Sequence, residues 1–386
     1  MFVTRLQLKN WRNFRNADVP LRDRTFVLGA NAAGKSNFLD VFRFLRDVSK
    51  PQGGGLQKAI ADRGGISKVR CLHARRDPEV RIEVHFSEEL DDARPAWRYV
   101  LGFKPEGKGA QRVLVSTEQV WKGSEAKALF SRPAPADKDV LQLTETYLEQ
   151  TRANEEFREL ATFLGATTYL HLVPQLLKFA DYIGGRRLED DPFGQGFLER
   201  VARTVPRTRD ARLRKIEQAL VAAVPQFQNL RYAQDGINGL PHLEALYAHH
   251  RPNAGWQRED QFSDGTLRLL GLLWSLLDGD SLLLLEEPEL SLNDGIVRQI
   301  PLMLQRAQRG SKRRRQIIVS THSEALLSNP GIDGRSVLLI EPSTEGSRLR
   351  QIDSHEALAL RSGMSVAEAV LPKTRPEAID QLGLWE

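Results

Sequence analysis

Residues 25–37 read Thr25-Phe26-Val27-Leu28-Gly29-Ala30-Asn31-Ala32-Ala33-Gly34-Lys35-Ser36-Asn37, and they constrain the architecture more tightly than any other stretch. The pattern Gly-x-x-x-x-Gly-Lys-Ser follows a short apolar run and directly precedes an amphipathic segment at residues 38–45. Glycines allow the backbone to curl close to a polyphosphate, so that successive N–H groups point at it. The following helix would add the positive end of its dipole. The stretch therefore predicts a phosphate-binding P-loop between a strand and a helix.

The residues of this loop have predicted roles toward a nucleoside triphosphate and Mg²⁺. Lys35 would reach the β- and γ-phosphates, and the Ser36 hydroxyl would bind Mg²⁺. The alternative is a glycine turn with an incidental lysine, which the strand before the loop and the helix after it disfavour. The predicted nucleotide-binding residues are Gly29, Asn31, Gly34, Lys35, Ser36 and Asn37.

A second apolar run, Leu282–Leu285, ends in the carboxylates Glu286 and Glu287. Ligands of open parallel sheets bind at the carboxyl ends of the strands, so these side chains can face the P-loop. Glu286 is predicted to bind Mg²⁺, and Glu287 is predicted to polarise the water that attacks the γ-phosphate. The alternative is an acidic helix start, which the helix dipole also favours.

Two further segments place polar residues at the ends of predicted helices or strands. His322 follows a buried strand at residues 316–320 and could donate a hydrogen bond to a γ-phosphate, although a lone histidine is more often structural. Ser263 and Gly265 open a helix. The simplest interpretation of Ser263 is an N-cap. A Ser-x-Gly at a helix N-terminus can also face a phosphate held by another subunit.

The remaining sequence indicates an α/β protein with three parts. Residues 1–140 contain the P-loop and an antiparallel β subdomain, because alternating apolar residues predict strands near residues 80–86, 97–103 and 113–115. Residues 141–228 are predicted to be a helical insertion, with no sustained heptad and hence no long coiled coil. Residues 229–386 return to α/β and carry the other motifs. The predicted helices of the insertion span 148–164, 172–183, 193–205 and 209–224.

Bulk composition narrows the class of protein. The chain has 386 residues, a formal net charge of +5 and a single cysteine, Cys71, which excludes an intrachain disulfide and fits a reducing compartment. No apolar run approaches the roughly 20 residues that span a bilayer, and the N-terminus alternates like a strand rather than a signal peptide. We therefore expect a cytoplasmic protein with no membrane partner. The mildly basic charge is compatible with DNA without indicating it.

The order and spacing of these motifs resemble those of ABC-type ATPases: Walker A at 29–36, a signature-like segment at 262–266, Walker B at 282–288 and a switch histidine at 322. The opening residues 6–14 resemble the RecF, SMC and OLD branch, and most closely its stand-alone AAA-type members (AAA_21), which are often found in bacterial defence operons. The resemblance implies a P-loop NTPase fold of the ABC-type head, with ATP and Mg²⁺ as cofactors. It covers about the first 120 residues and residues 255–345.

What the resemblance implies is a homodimer, or a higher even-numbered homo-oligomer, that sandwiches ATP between two chains. Ser263 and Gly265 would contact the partner's γ-phosphate, and residues 290–293 would cross the interface as the D-loop. The implied activity is ATP hydrolysis that controls DNA sensing or a separately encoded effector, a nuclease or toxin, in anti-phage defence or DNA repair. The alternatives are an ATP-bound scaffold that inhibits a toxic partner with little turnover, and a transporter ATPase subunit. After Glu341 the sequence has no Asp-x-Asp, so we expect no Toprim nuclease.

The sequence departs from the family pattern at two positions. Glu286 stands where Walker B usually has Asp, and Asp264 stands where the signature usually has Gly. An extra carboxylate near a γ-phosphate could slow closure of the dimer. The Q-loop glutamine is not identifiable. Arg12 and Arg15 could approach the nucleotide or be solvated, and the basic run at 312–315 could be a solvated loop or contact a phosphate backbone.

Overall fold

The computed structural model describes residues 1–90, 92, 94–107, 109–123, 127–133, 139–179, 191–248, 255–310 and 314–374. The strands are β1 (Phe2–Trp11), β2 (Phe14–Pro20), β3 (Arg24–Gly29), β4 (Val80–Ser87), β5 (Trp97–Gly107), β6 (Ala110–Lys122), β7 (Phe130–Arg132), β8 (Thr168–Leu170), β9 (Phe227–Gln234), β10 (Pro241–Tyr247), β11 (Gln257–Arg258), β12 (Leu283–Glu286), β13 (Ile317–Thr321), β14 (Val337–Ser343) and β15 (Gly346–Gln351).

The helices alternate with these strands mainly in the second half of the chain. They are α1 (Lys35–Ser49), α2 (Leu56–Ala61), α3 (Ile66–Val69), α4 (Arg158–Gly165), α5 (Pro174–Lys178), α6 (Phe197–Arg203), α7 (Pro206–Ala223), α8 (Asp264–Leu277), α9 (Asp294–Val297), α10 (Ile300–Gly310), α11 (Glu324–Leu327), α12 (Ser354–Arg361) and α13 (Val366–Val370). The α/β class predicted from the sequence is confirmed.

One six-stranded sheet is antiparallel, in the order β2-β1-β4-β5-β6-β7. It contains the predicted meander near residues 80–115 as β4 to β6, with β6 continuing to Lys122. Strand β1 continues to Trp11, and β2 begins at Phe14 after a tight turn. The turn is this short because Asn10 and Arg12 adopt left-handed conformations, with φ of 57° and 52°.

The second six-stranded sheet holds the P-loop strand at its centre, in the order β15-β14-β3-β13-β12-β8. Strands β14, β3, β13, β12 and β8 run parallel, and β15 is an antiparallel edge. The registers Thr321↔Leu28 and Glu286↔Ser320 bring the carboxyl ends of three strands to one edge of the sheet. The P-loop, the acidic pair and His322 therefore meet there, as the sequence predicted.

Helix α1 fills the space between the two large sheets. Its side chains Phe38, Phe42 and Phe44 are fully buried in a core that also contains β1, β4 and β5 on one side. From the parallel sheet, residues such as Val27 and Ile318 enter the same core. The opposite face of that sheet packs on helices α9 to α11 and α13. Alternation along each parallel strand thus supplies two cores, which fixes α1 and the P-loop rigidly.

The helical insertion predicted for residues 141–228 is less regular than the sequence suggested. Helix α4 begins only at Arg158, because the buried carboxylate of Glu118 accepts the N–H groups of Tyr147 and Leu148, at 2.9 and 3.1 Å. Such side-chain bonds compete with a helical ladder. Residues 168–170 form β8 and pair with β12 of the parallel sheet. The domain boundaries themselves stay a prediction.

A smaller lobe contains α5 to α8 and the three-stranded antiparallel sheet β11-β10-β9. Residues 235–240 join β9 to β10. Helix α7, with 18 residues, is the longest helix in the described part of the chain, so the expectation of no long coiled coil holds for those residues. None of the helices described here is both long and apolar enough to cross a membrane.

Of the basic run at 312–315, the structure describes Arg314 and Arg315. Residues 312 and 313 lie outside the described residues, and Arg314 is exposed beside Asp23. Arg315 is buried, and its guanidinium donates to the carbonyl oxygens of Ser281 and Asp278 at 2.7 and 2.9 Å. Arg315 therefore binds the backbone that connects α8 to β12, and its side chain does not face solvent.

Candidate nucleotide site

The P-loop joins β3 to α1 at the centre of the parallel sheet. Gly34 has a backbone φ of 117°, which residues other than glycine rarely adopt. A Cβ atom at this position would lie 2.1 Å from the Asn13 amide nitrogen. Lys35 is buried, and its ammonium donates to the carbonyl oxygens of Gly29 and Ala30 at 2.9 and 3.2 Å. Burial lowers the pKa of Lys35, while the nearby Glu287 and Glu286 carboxylates act in the opposite direction.

Asn13 supports this loop from behind, a role that the sequence did not reveal. Its amide donates to the Ala33 carbonyl and to the Ser347 hydroxyl, both at 2.7 Å, and accepts from Asn37 at 2.8 Å. Asn37, predicted to bind nucleotide, therefore points its side chain at Asn13. Asn31 is exposed at the tip of the loop. No local pattern marks Asn13, since its partners lie 20 or more residues away along the chain.

Arg12 is not free to reach a nucleotide in this structure. Its guanidinium forms an ion pair with the buried Asp40 of α1 at 2.6 Å. Arg63 binds the same carboxylate at 2.9 Å. Burial opposes the ionised form of Asp40, but the two guanidinium groups outweigh it and lower the pKa of that carboxyl. The Arg12 side chain therefore anchors α1 and takes no part in the candidate site.

Glu286 lies at the carboxyl end of β12 and meets the P-loop. One carboxylate oxygen accepts a hydrogen bond from the Ser36 hydroxyl, and the other accepts from the Tyr169 hydroxyl at 2.5 Å. His171 lies 3.3 Å from the Glu286 carbonyl oxygen. The pKa of Tyr169 is raised by its burial and by this carboxylate. Because β8 was predicted as part of a helical insertion, neither Tyr169 nor His171 was expected here.

A hydroxyl and a carboxylate in contact are hard oxygen donors, which fits Mg²⁺. Ser36 and Glu286 would hold this ion together with phosphate oxygens of the nucleotide. Within the described residues, no group of three or more His, Cys, Asp or Glu side chains could hold a metal ion by itself. The longer Glu at this Walker B position reaches Ser36 directly, so the departure from Asp does not prevent the contact.

Glu287 stands next in the chain in a strained conformation, with φ of 45°. Its N–H donates to the Ser320 carbonyl of β13 at 3.0 Å, which holds the turn. The carboxylate lies 3.1 Å from Nδ1 of His322, which follows β13. The structure thus joins the predicted water-activating residue to the predicted switch histidine, and both side chains are partly exposed.

The signature segment lies at the start of α8. Ser263 is exposed and accepts from the Thr266 N–H at 3.1 Å, so it is an N-cap. A Cβ at Gly265 would lie 2.7 Å from the Ser291 carbonyl oxygen, so only glycine fits against the predicted D-loop. The contacts described for Ser263 and Gly265 are to Thr266 and to residues 291–292, and none joins them to residues 29–37.

Asp264 is neutralised by partners from α5. Lys178 forms an ion pair with its carboxylate at 2.9 Å, and Gln175 donates to the same group at 2.6 Å. The carboxylate that departs from the family pattern is therefore not an uncompensated charge at the signature helix. This pairing was invisible in the sequence, because α5 and α8 lie about 90 residues apart along the chain.

Two buried polar side chains lie behind the acidic pair. Arg268 of α8 is 7% exposed, and its Nε and one terminal nitrogen have no hydrogen-bond partner among the described residues. Burial lowers the pKa of Arg268 and raises that of Glu289, whose carboxylate accepts from Thr321. Gln57 donates to the backbone carbonyls of Val113 and Thr144 and accepts from the Val113 N–H.

Solved structures of SMC heads share this architecture. An SMC head bound to the C-winged helix domain of ScpA superimposes with a TM-score of 0.56, covering 93% of this chain and 99% of that one at 14% identity. An SMC head with a coiled coil and joint from Pyrococcus yayanosii gives a TM-score of 0.51 over 97% of this chain and 100% of that one, at 12% identity. At such low identity, the likeness establishes the fold alone.

Sequence relatives match a shorter segment. The DNA replication and repair protein RecF of Roseiflexus castenholzii is 33% identical over 92 residues, 22% of this chain and 23% of RecF. RecF of Chloroflexus aggregans is 30% identical over 100 residues, 24% of this chain and 26% of RecF. This chain therefore matches only about a quarter of the length of each curated relative.

A family model matches most of the chain. The model is described as AAA domain, putative AbiEii toxin, Type IV TA system, and it matches residues 24–328, from the P-loop strand to α11. The resemblance to RecF- and SMC-like ABC-type ATPases is thereby confirmed. The chain belongs to this family of AAA-type P-loop ATPases.

Proposed function

We propose that the protein binds ATP with Mg²⁺ and hydrolyses it, and that ATP-dependent dimerisation controls a partner. The observation that carries this proposal is the meeting of Ser36, Glu286, Glu287 and His322 at one edge of the parallel sheet. These side chains come from the ends of the neighbouring strands β12 and β13 and from the P-loop that follows β3. Such an arrangement suits in-line attack of water on a γ-phosphate, where catalysis is positioning and charge stabilisation.

Each residue has a defined task in the proposed reaction. Lys35 leaves its backbone partners to bind the β- and γ-phosphates. Mg²⁺ held by Ser36 and Glu286 supplies charge neutralisation on the phosphate oxygens. Glu287 orients and polarises the attacking water, and His322 donates a hydrogen bond to the γ-phosphate. The strained backbone at Glu287 supports this assignment, because such strain concentrates at functional sites.

We further propose that a second copy of the chain completes each site. Ser263 is exposed at the N-terminus of α8 and has no described contact with its own P-loop. Ser263 and Gly265 of one protomer would then bind the γ-phosphate held by the other protomer. Pairing of Asp264 with Lys178 and Gln175 supports closure of the dimer, since it removes the repulsion that an unpaired carboxylate would cause.

The setting that we propose is cytoplasmic anti-phage defence or DNA repair, with DNA sensing or a separate nuclease or toxin as the controlled output. Support comes from relatives: the matching proteins are RecF, which is named for DNA replication and repair, and the family description mentions a putative toxin. The SMC head in one similar structure is bound to a domain of ScpA, which supports a role for partner proteins.

The test of the proposed function is ATP turnover by Glu287→Gln. The substitution keeps the size of the side chain and removes the general base, so we expect the hydrolysis rate to fall by at least about 100-fold. ATP binding should persist, and the variant should accumulate as an ATP-bound dimer in size-exclusion chromatography with light scattering. The control is Glu156→Gln, which changes an exposed carboxylate remote from the site. Unchanged turnover in Glu287→Gln would refute the catalytic assignment.

A further inference from the structure

A groove of about 990 Å³ lies between α7, α8 and α10, and its lining includes no residue of the nucleotide site. Helix α7 contributes Arg207, Ala211, Lys215 and Ala219, which recur every four residues along one side of the helix. At 1.5 Å per residue, this side runs for about 18 Å. The groove is therefore elongated and open, with the dimensions of about three turns of a helix.

The floor of the groove is apolar. Leu273 and Leu277 of α8 and Met303 of α10 line it and are only half-buried, although they belong to the edge of the small lobe's core. Ile216 and Leu276 lie deeper in the same lining. Contiguous apolar side chains with access to solvent are typical of a binding surface, because burying them against a partner gains free energy.

The rim of the groove is basic. Arg207, Lys215 and Arg306 are exposed, and none of them forms an ion pair with any residue that the structure describes. Arg212 differs, because it forms an ion pair with Asp278 at 2.8 Å and lies over the ring of Trp274. Three positive charges thus remain without compensation along an apolar groove.

The charge of Arg207 does not stabilise helix α7, which carries it. Helix α7 begins at Pro206, has no acidic residue in its first turn and carries Arg207 and Arg209 there. Positive charge near a helix N-terminus opposes the helix dipole and costs several tenths of a kcal/mol. The position of Arg207 is therefore better explained by the groove that it lines than by the stability of α7, whereas Arg209 forms an ion pair with Asp210 and lies over the ring of Tyr232.

We propose that this groove docks an amphipathic helix with acidic flanks, presented by a partner protein. Apolar residues of that helix would fill the floor between Leu273, Leu277 and Met303, and its carboxylates would pair with the three rim cations. Nucleic acid suits the rim but not the floor, because a phosphate backbone cannot fill an apolar groove. The groove's length also suits a helix better than a compact small molecule.

The experiment measures fluorescence anisotropy of a labelled helical peptide of about 14 residues, with leucine on one face and glutamate on the other. We expect micromolar binding to the full-length protein. A peptide with the same leucine face and lysine in place of glutamate should bind at least about tenfold more weakly. A peptide with the same composition in scrambled order should do likewise, because its leucines no longer share one face.

Variants of the protein locate the binding surface. The double variant Arg207→Glu with Lys215→Glu should lower the affinity for the glutamate peptide at least about tenfold. Met303→Gln should also lower this affinity, although it leaves the charge of the rim unchanged. The matched control is Arg214→Glu, an exposed arginine of α7 that does not line the groove. Circular dichroism and melting curves establish that each variant is folded.

The outcomes separate the possible occupants. Equal binding of the glutamate and lysine peptides, or binding unaffected by the rim and floor variants, would overturn the proposal. Displacement of the peptide by duplex DNA whose own binding needs Arg207 and Lys215 would overturn it in favour of nucleic acid. Loss of a protein dimer in the rim variant, without peptide binding, would assign the groove to a second copy. Peptide binding should persist in Glu287→Gln, so the result is independent of the proposed ATPase mechanism.

Discussion

Gly34 shows how a single position can hold the P-loop in shape. Its φ of 117° is unfavourable for any side chain, and the Asn13 amide occupies the space where a Cβ would stand. Asn13 in turn holds the Ala33 carbonyl and Asn37. A side chain at residue 34 would therefore disturb both the loop and its support from behind.

We predict that Gly34→Ala weakens ATP binding at least about tenfold, since the strain of 1–3 kcal/mol expected for this conformation must be relieved by moving the loop. Binding of a fluorescent ATP analogue measures the effect. Gly236→Ala is the matched control, because a Cβ there meets nothing within 4 Å. Equal affinity of Gly34→Ala and the unaltered protein would contradict the view that residue 34 sets the loop.

At this scale the sequence predicted the residues whose motif is local. The spacing of Gly29, Gly34 and Lys35 specified the loop, and the run before Glu286 and Glu287 specified the acidic strand end. Tyr169 could not be predicted, because its contact with Glu286 depends on β8 joining the parallel sheet beside β12. Residue roles that depend on tertiary pairing are invisible to local pattern.

Among the elements, α12 is fixed by a charged cluster around Glu356. The Glu356 carboxylate accepts from Arg350 and Lys373 at 2.8 and 2.9 Å, and from the N–H of Asp353 in a capping box. Although burial opposes ionisation, these contacts prevail and lower the pKa of Glu356 to about 2. The cluster thereby ties α12 to β15 and to the segment after α13.

We predict that Glu356→Gln lowers the melting temperature at pH 7 and that the difference from the unaltered protein shrinks in acid. A carboxyl whose pKa is lowered on folding stabilises the protein above its unfolded value of 4.5, and this stabilisation is lost as pH falls toward 2. Calorimetry between pH 7 and pH 3 measures how the difference in melting temperature between the two proteins decreases. Glu156→Gln, which alters an exposed carboxylate, should show no such pH dependence; a constant difference for Glu356→Gln would refute the assignment.

The prediction of helices and strands succeeded where the periodic apolar pattern extended over a long segment. It failed where a distant side chain accepts hydrogen bonds from the backbone N–H groups. The alternation over residues 80–115 became strands β4 to β6, and the helix predicted to open at Ser263 became α8. The helix predicted from residue 148 does not form there, because Glu118 takes the N–H groups that would begin it. Glu118 lies 30 residues earlier in the chain, so no local window could include it.

For the whole molecule, the resemblance implied an ABC-type head with an antiparallel β subdomain and a helical insertion, and the SMC-like fold agrees with the head and its β subdomain. The sequence could not predict which surfaces of the lobes face each other or remain open. Those surfaces arise from packing between α5, α7, α8 and α10, whose contacting residues are widely separated in sequence. The neutralised Asp264 and the basic groove both belong to this class of feature.

The proposed composite site predicts complementation between two inactive chains. Lys35→Ala disables the P-loop, and Ser263→Arg blocks the signature surface. In a mixed dimer, the intact P-loop of the second variant faces the intact signature of the first. If the two variants pair at random, about half of the dimers are mixed, and each mixed dimer has one working site of its two. We therefore expect about one quarter of the unaltered protein's ATPase activity after coexpression. Each variant alone should be inactive but folded. A mixture with differently tagged chains proven to pair, yet without recovered activity, would place Ser263 outside the partner's site and leave each protomer to hydrolyse ATP alone.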